Sequence, residues 1–202
     1  MFFLNYSTVI DPLLRDIRTY TLEFSGMKAG DRALDVCCGS GAQALYYARE
    51  GVIATGIDLN PSMIELAQRG KKKSGLRDVS FQVADAVDLP FPDNSFDYAS
   101  ISLALHALGS TARDKVVSEM KRVVKIAGAL IFIDFRVPLP RNAYGYLVRA
   151  AEFLVGGEHS RNSRDFLARG GLDEVLGRNQ LGVAKKSYLK RGTIAIVKTG
   201  NV

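Results

Sequence analysis

Fourteen residues, Arg32-Ala-Leu-Asp-Val-Cys-Cys-Gly-Ser-Gly-Ala-Gln-Ala-Leu45, narrow what this chain can fold into more than any other stretch. Ala33 to Val36 is a short run of the kind a strand buried on both faces needs. The run breaks at Gly39 and Gly41 and resumes as Ala42-Gln43-Ala44-Leu45-Tyr46-Tyr47-Ala48-Arg49-Glu50, which reads as a helix. Strand, glycine turn and helix form the opening half of a nucleotide-binding βαβ unit. Glycine lets the backbone turn tightly and lets a ligand approach where a Cβ would collide.

Two ligand classes compete for that turn. Gly39-x-Gly41-x-x-Ala44 satisfies the dinucleotide pattern, in which the helix N-terminus holds a pyrophosphate. Asp35, inside the strand and four residues before the first glycine, argues the other way. A carboxylate aimed at the turn repels a pyrophosphate and attracts a cation. Asp35-Val-Cys-Cys-Gly39-Ser-Gly41 resembles the first motif of Rossmann-like S-adenosylmethionine (SAM)-dependent methyltransferases, whose ligand carries an ammonium and a sulfonium. The paired cysteines look most like the branch that includes the ubiquinone/menaquinone-biosynthesis C-methyltransferases.

Two more acids close the next strands. Gly51-Val-Ile-Ala-Thr-Gly-Ile57 reads as the second strand and Asp58 ends it. Asn60 follows as N-cap, with Pro61 at the first position of a helix carrying Met63, Ile64 and Ala67 on one face. An acid 17 positions past Gly41 is where either cofactor class clamps a ribose, so Asp58 favours adenosine over a 2′-phosphate without separating NAD from SAM. The third strand, Val79 to Ala84, alternates and ends at Asp85-Ala86. Val83-Ala-Asp85-Ala86, Leu89-Pro-Phe91 and Ser95-Phe-Asp97 resemble the corresponding region of the same methyltransferases. There, an acid reads the adenine amino group and the next backbone amide reads the ring. A dinucleotide oxidoreductase has no reason to carry this third acid.

The fourth strand runs from Phe96 to Leu103 and leads to His106. Thr111 is expected to cap a helix bearing Val116, Val117, Met120, Val123 and Val124. The apolar run Ala129 to Phe135 reads as a central fifth strand. Ile126-Ala127 departs from the family pattern, which commonly has proline before the glycine. Tyr144 to Val155 is one amphipathic stretch, Gly156 to Arg161 a polar break, and Ser163 the cap of a short helix. Val183 to Leu189 and Gly192 to Val197 read as a terminal hairpin. The expected fold is α/β, three layers around a doubly wound sheet of seven strands. The strands are mostly parallel with a C-terminal antiparallel strand, and the resemblance implies the order 3-2-1-4-5-7-6. Residues 1–202 read as one domain, with 1–30 as an N-terminal lid helix entered through Asp11 and Pro12, and 138–180 as an acceptor-pocket insertion.

Composition narrows the partners. Hydrophobic residues make up 47% of the 202, enough for a sizeable core, and no apolar run approaches the roughly 18 residues of a membrane span. The N-terminus lacks the basic region of a signal peptide, so a cytoplasmic protein is expected. Cys37 and Cys38 are adjacent, and His106 and His159 are the only histidines, so spacing gives no metal site. The net charge of +6 peaks at Arg69-Gly-Lys71-Lys72-Lys73-Ser74-Gly75, which has no interleaved aromatics and reads as a solvated loop. No nucleic acid is expected, and at most peripheral membrane contact. No heptad or symmetric patch selects an oligomeric state.

The resemblance implies methyl transfer from SAM, leaving S-adenosylhomocysteine, to a small-molecule acceptor that includes lipophilic or aromatic carbon nucleophiles. Asp35 would hold the methionine ammonium and the backbone around Cys37, Gly39 and Gly41 the methionine part. Asp58 would take the ribose, Asp85 and Ala86 the adenine, with Leu59 and Met63 packed on its faces, and Ser102 would face the methyl region. His106 is the candidate base, because an imidazole titrates near working pH; a histidine that caps a turn or lines the pocket is the other reading. Tyr6, Tyr144, Tyr146, His159, Arg161 and Arg164 are the candidates for the acceptor pocket. A nicotinamide-dependent oxidoreductase and a non-catalytic SAM-binding protein are the alternatives.

Overall fold

The computed structural model describes residues 14–201, the side chain of Ala151 excepted. Asp11, Pro12 and Tyr6 lie outside the described residues. A single sheet contains β1 (Arg32–Val36), β2 (Ile53–Asp58), β3 (Val79–Val83), β4 (Phe96–Ser102), β5 (Val124–Phe135), β6 (Val183–Leu189) and β7 (Ile194–Gly200). Its order is β3-β2-β1-β4-β5-β7-β6, as the resemblance implies. The first five strands pair in parallel, and β7 runs antiparallel to both β5 and β6. Parallel pairing brings the C-terminal ends of β1 to β5 to one edge of the sheet, where ligands bind in open α/β folds.

The alternation of β1 divides the core in two. Ala33 joins Ile17, Phe24, Tyr47 and Ala48 on one face, under α1 (Arg15–Ser25) and α2 (Ala42–Arg49). Leu34 and Val36 join Val116, Met120 and Val123 on the other, under α4 (Ser110–Val123). β5 is buried without a break from Ala129 to Phe135, because it is covered on both faces. α3 (Pro61–Ser74) starts as expected, the Asn60 side chain accepting the Ser62 N–H at 3.0 Å with Pro61 at the first position.

Three local readings are corrected. Lys71, Lys72 and Lys73 do not form a loop: they are the last turn of α3, closed by Gly75, where cations complement the helix dipole. Gly109, not Thr111, is the N-cap of α4. Ser163 caps nothing. α5 (Ala143–Val155) and α6 (Gly157–Arg169) are separated by Gly156 alone, so the polar stretch is helical and Ser163 is buried inside α6. α7 (Leu172–Arg178) completes the segment before the terminal hairpin. Among the described residues no helix is long and apolar enough to cross a membrane.

Candidate active site

Asp35 sits at the C-terminal end of β1 between Gly56 of β2 and Ser100 of β4, and is 2% exposed. Its Oδ1 accepts a hydrogen bond from Ser100 Oγ at 3.2 Å, while Oδ2 is buried with no hydrogen-bond partner among the described residues. Burial pushes this carboxyl up to about 7 against the opposing effects of Ser100 and Arg18. An ionised oxygen without a partner is costly in the interior and asks for a cation or donor. Asp35 lines an open cleft with Leu14, Ile17, Arg18, Cys37 and Ser102 around it. The orphaned oxygen beside the cleft fits a positively charged ligand.

The next two acids stand in series along the same edge. Asp58 accepts the Gly39 N–H at 2.9 Å through Oδ2 and the Asn60 N–H at 2.9 Å through Oδ1. It therefore ties the glycine turn to the end of β2 while keeping a lone pair on each oxygen for a hydroxyl. Asp58 pairs in register with Val83, which places Asp85 just beyond. Asp85 is exposed, and its Oδ1 accepts the Val87 N–H at 3.1 Å. Ala86 beside it is buried, Met63 is half-buried, and Leu59 is 65% exposed. An apolar side chain left open between two polar strand ends suits the face of a flat ring. Burial, with help from Asp58 and Asp35, pushes the Cys37 thiol up to about 12, and Cys38 is raised further by the same causes. Neither is a nucleophile at neutral pH.

At Gly41 (φ +73°) an added Cβ would meet the Phe81 ring at 2.6 Å and the Ala67 Cβ at 2.7 Å, both protein neighbours. This glycine allows close packing of α2 against α3 and β3.

A second group of polar side chains lies beyond β4 and β5. His106 is in a single 3₁₀ turn, Leu105–Ala107, and is 4% exposed. Asp134, near the end of β5, accepts from His106 Nδ1 at 2.7 Å, from its backbone N–H at 3.1 Å and from the Phe135 N–H at 2.7 Å. This fixes the ring and turns Nε2 outward, where Glu152 Oε1 of α5 stands 3.7 Å away. Glu152 Oε2 in turn lies 3.0 Å from His159 Nε2 of α6. Burial lowers the proton affinity of His106, but Asp134 and then Glu152 outweigh it, so its pKa lies above the usual histidine range. Buried Arg113 braces the turn, donating from Nε to the Leu105 carbonyl at 3.0 Å and from its other nitrogens to Asp165 and the Asn162 carbonyl.

Asp134 and Glu152 were absent from the sequence reading. Asp134 had a usable signal, since it is a fourth acid at a strand end; Glu152 had none. Of the acceptor candidates among the described residues, only His159 is brought to His106. Tyr144 lies under Arg191 and Tyr146 under Arg149, both exposed. Arg164 donates to the Ser160 carbonyl of its own helix, and Arg161 is exposed.

Residues 34–132 match the family described as methyltransferase domain. The chain is 36% identical over 126 residues to the ubiquinone/menaquinone biosynthesis C-methyltransferase UbiE of Teredinibacter turnerae, covering 60% of this chain and 49% of that protein. It is 35% identical over 137 residues to the demethylmenaquinone methyltransferase of Paenarthrobacter aurescens, covering 66% and 51%. The chain thus spans about half the length of the curated relatives it matches. Its fold is that of a SAM-dependent methyltransferase from Aquifex aeolicus, with a TM-score of 0.69 at 22% identity over 92% of this chain and 89% of that one.

Proposed function

We propose that this chain, a member of the class I SAM-dependent methyltransferase family near its ubiquinone/menaquinone-biosynthesis branch, moves a methyl group from SAM to a small-molecule acceptor. The observation that carries the reading is Asp35, a carboxylate with an orphaned buried oxygen lining the cleft, followed by Asp58 and Asp85 at the ends of the adjacent strands. A dinucleotide oxidoreductase leaves this series unexplained, and the relatives are methyltransferases.

When bound, SAM supplies a methyl carbon already activated by its sulfonium. The chain's work is to hold, align and dry the reactants. Asp35 holds the methionine ammonium, with Cys37 and Gly39 of the turn along the methionine part. Asp58 takes the ribose hydroxyls and Asp85 the adenine amino group, next to the Ala86 amide. Leu59 and Met63 cover the ring, and Ser102 faces the methyl region. Leu14, Ile17 and Arg18 line the cleft beside Asp35, which supports reading the N-terminal segment, including α1, as a lid.

Residues 138–180, with α5 to α7, form the acceptor side. α5 carries exposed Leu147, Phe153 and Leu154 there, which suits a lipophilic acceptor with an aromatic or other carbon nucleophile. His106 Nε2, with Nδ1 tied to Asp134, is the nitrogen that takes the acceptor's proton. Transfer of tritiated methyl from SAM into a small-molecule extract, with mass spectrometry of the labelled product, tests the activity. Heat with S-adenosylhomocysteine but no transfer to any acceptor would leave a non-catalytic binder; no heat would overturn the cofactor assignment.

A further inference from the structure

We infer that His106, Glu152 and His159 form a binding site for a divalent transition-metal cation of the Zn²⁺ class. Their ligand atoms all lie within 4.8 Å of one another, with Glu152 at 3.0 Å from His159 and 3.7 Å from His106. Donor atoms bound at about 2.0–2.2 Å to one such ion stand on the order of 3–3.5 Å apart, so closure needs movements of about an ångström.

The surroundings match a metal site rather than a chance meeting of polar groups. A metal-ligating histidine characteristically donates its second ring nitrogen to a carboxylate, which orients the ring and strengthens the ligand. His106 already does so to Asp134, whose carboxylate is in turn held by two backbone N–H groups. Phe135 and Phe166 pack their rings near the imidazole, with centroids 4.5 and 6.5 Å away, and give the site a dry wall. Two imidazoles and one carboxylate select Zn²⁺, Co²⁺ or Fe²⁺ over Mg²⁺ and Ca²⁺, which prefer all-oxygen sets. Three protein ligands leave coordination open, as in catalytic rather than structural zinc sites.

The cation site rests on the methyltransferase reading only for its use. Coordination occupies the His106 nitrogen that would otherwise take the acceptor's proton. Cation-loaded and base-competent forms are therefore alternative states of one site.

The test titrates Zn²⁺, against a competing chelator, into the EDTA-stripped full chain and into His159→Gln and Glu152→Gln. His159 is partly exposed, so its variant keeps the fold. S-adenosylhomocysteine calorimetry on each protein reports the cofactor site separately. The expected result is one Zn²⁺ per wild-type chain, with affinity weakened about 100-fold or more in both variants while the nucleoside still binds. Co²⁺ substitution is expected to give a visible spectrum without a thiolate charge-transfer band, which excludes Cys37 and Cys38 as ligands. Equal Zn²⁺ affinity in wild type and variants, or a thiolate band, would overturn the site. Zn²⁺ binding without nucleoside binding would keep the site and remove the methyltransferase reading.

Discussion

Replacing Asp35 by asparagine isolates the cost of holding a charge at the end of β1. The Asp35 carboxyl is raised by burial from 3.8 to about 7. The folded chain therefore binds a proton there more tightly than the unfolded chain does. Stability contributed by this group is greatest below about pH 4, falls as pH rises, and levels off above about pH 7. A difference of about three pH units, at about 1.4 kcal/mol each, makes the ionised residue cost on the order of 4 kcal/mol in the unliganded protein at pH 8. Asparagine carries no such cost, but its amide leaves buried donors with an expense of about 1–3 kcal/mol that does not change with pH. The informative quantity is the difference between variant and wild type, measured by urea denaturation at several pH values. It is expected to move by about 4 kcal/mol in favour of the variant between pH 4 and pH 8. Other titrating groups are common to both proteins and cancel. A difference that stays constant across this range would refute the assignment of a buried, strained carboxylate.

The same carboxylate must ionise to meet an ammonium, so S-adenosylhomocysteine affinity is expected to weaken about tenfold per pH unit below about pH 7 in wild type, and to be weak and flat in Asp35→Asn; calorimetry across pH 5–8 reads this. Gly41→Ala sets a Cβ against Phe81 and Ala67 at a positive φ, and is expected to cost about 2–4 kcal/mol, a fall in Tm of roughly 5–15 °C. Phe81→Leu in the same chain should restore part of it, and an unchanged Tm would remove the packing account. Leu59→Ala, at a side chain 65% exposed, is expected to leave urea stability within about 0.5 kcal/mol while weakening S-adenosylhomocysteine about three- to tenfold.

The parts of this fold that were legible are those dictated by neighbours in sequence. Asp35, Asp58 and Asp85 each follow a run that must be a buried or half-buried strand, so their place at one sheet edge follows from parallel pairing. Asn60-Pro61 names its own helix start. The parts that were not legible depend on distant packing. That Gly41 is confined by Phe81 and Ala67 follows from how α3 and β3 lie against α2. The meeting of His106 with Glu152 and His159 requires α5 and α6 to fold back at Gly156, and nothing in their spacing announces it. The reading of a polar break at Gly156 to Arg161 failed because those side chains are compatible with an exposed helix face as well as with a loop.

Asp58 carries one further consequence. Its carboxylate joins the glycine turn after β1 to the first residues after β2 through the Gly39 and Asn60 N–H groups. On the proposed reading, in which Asp58 takes the ribose, this end of the binding edge is held in one arrangement before a ligand docks, and little conformational entropy is surrendered there. Truncating this side chain should loosen the backbone as well as the grip on the sugar, so inheritance of the two is coupled in a single residue.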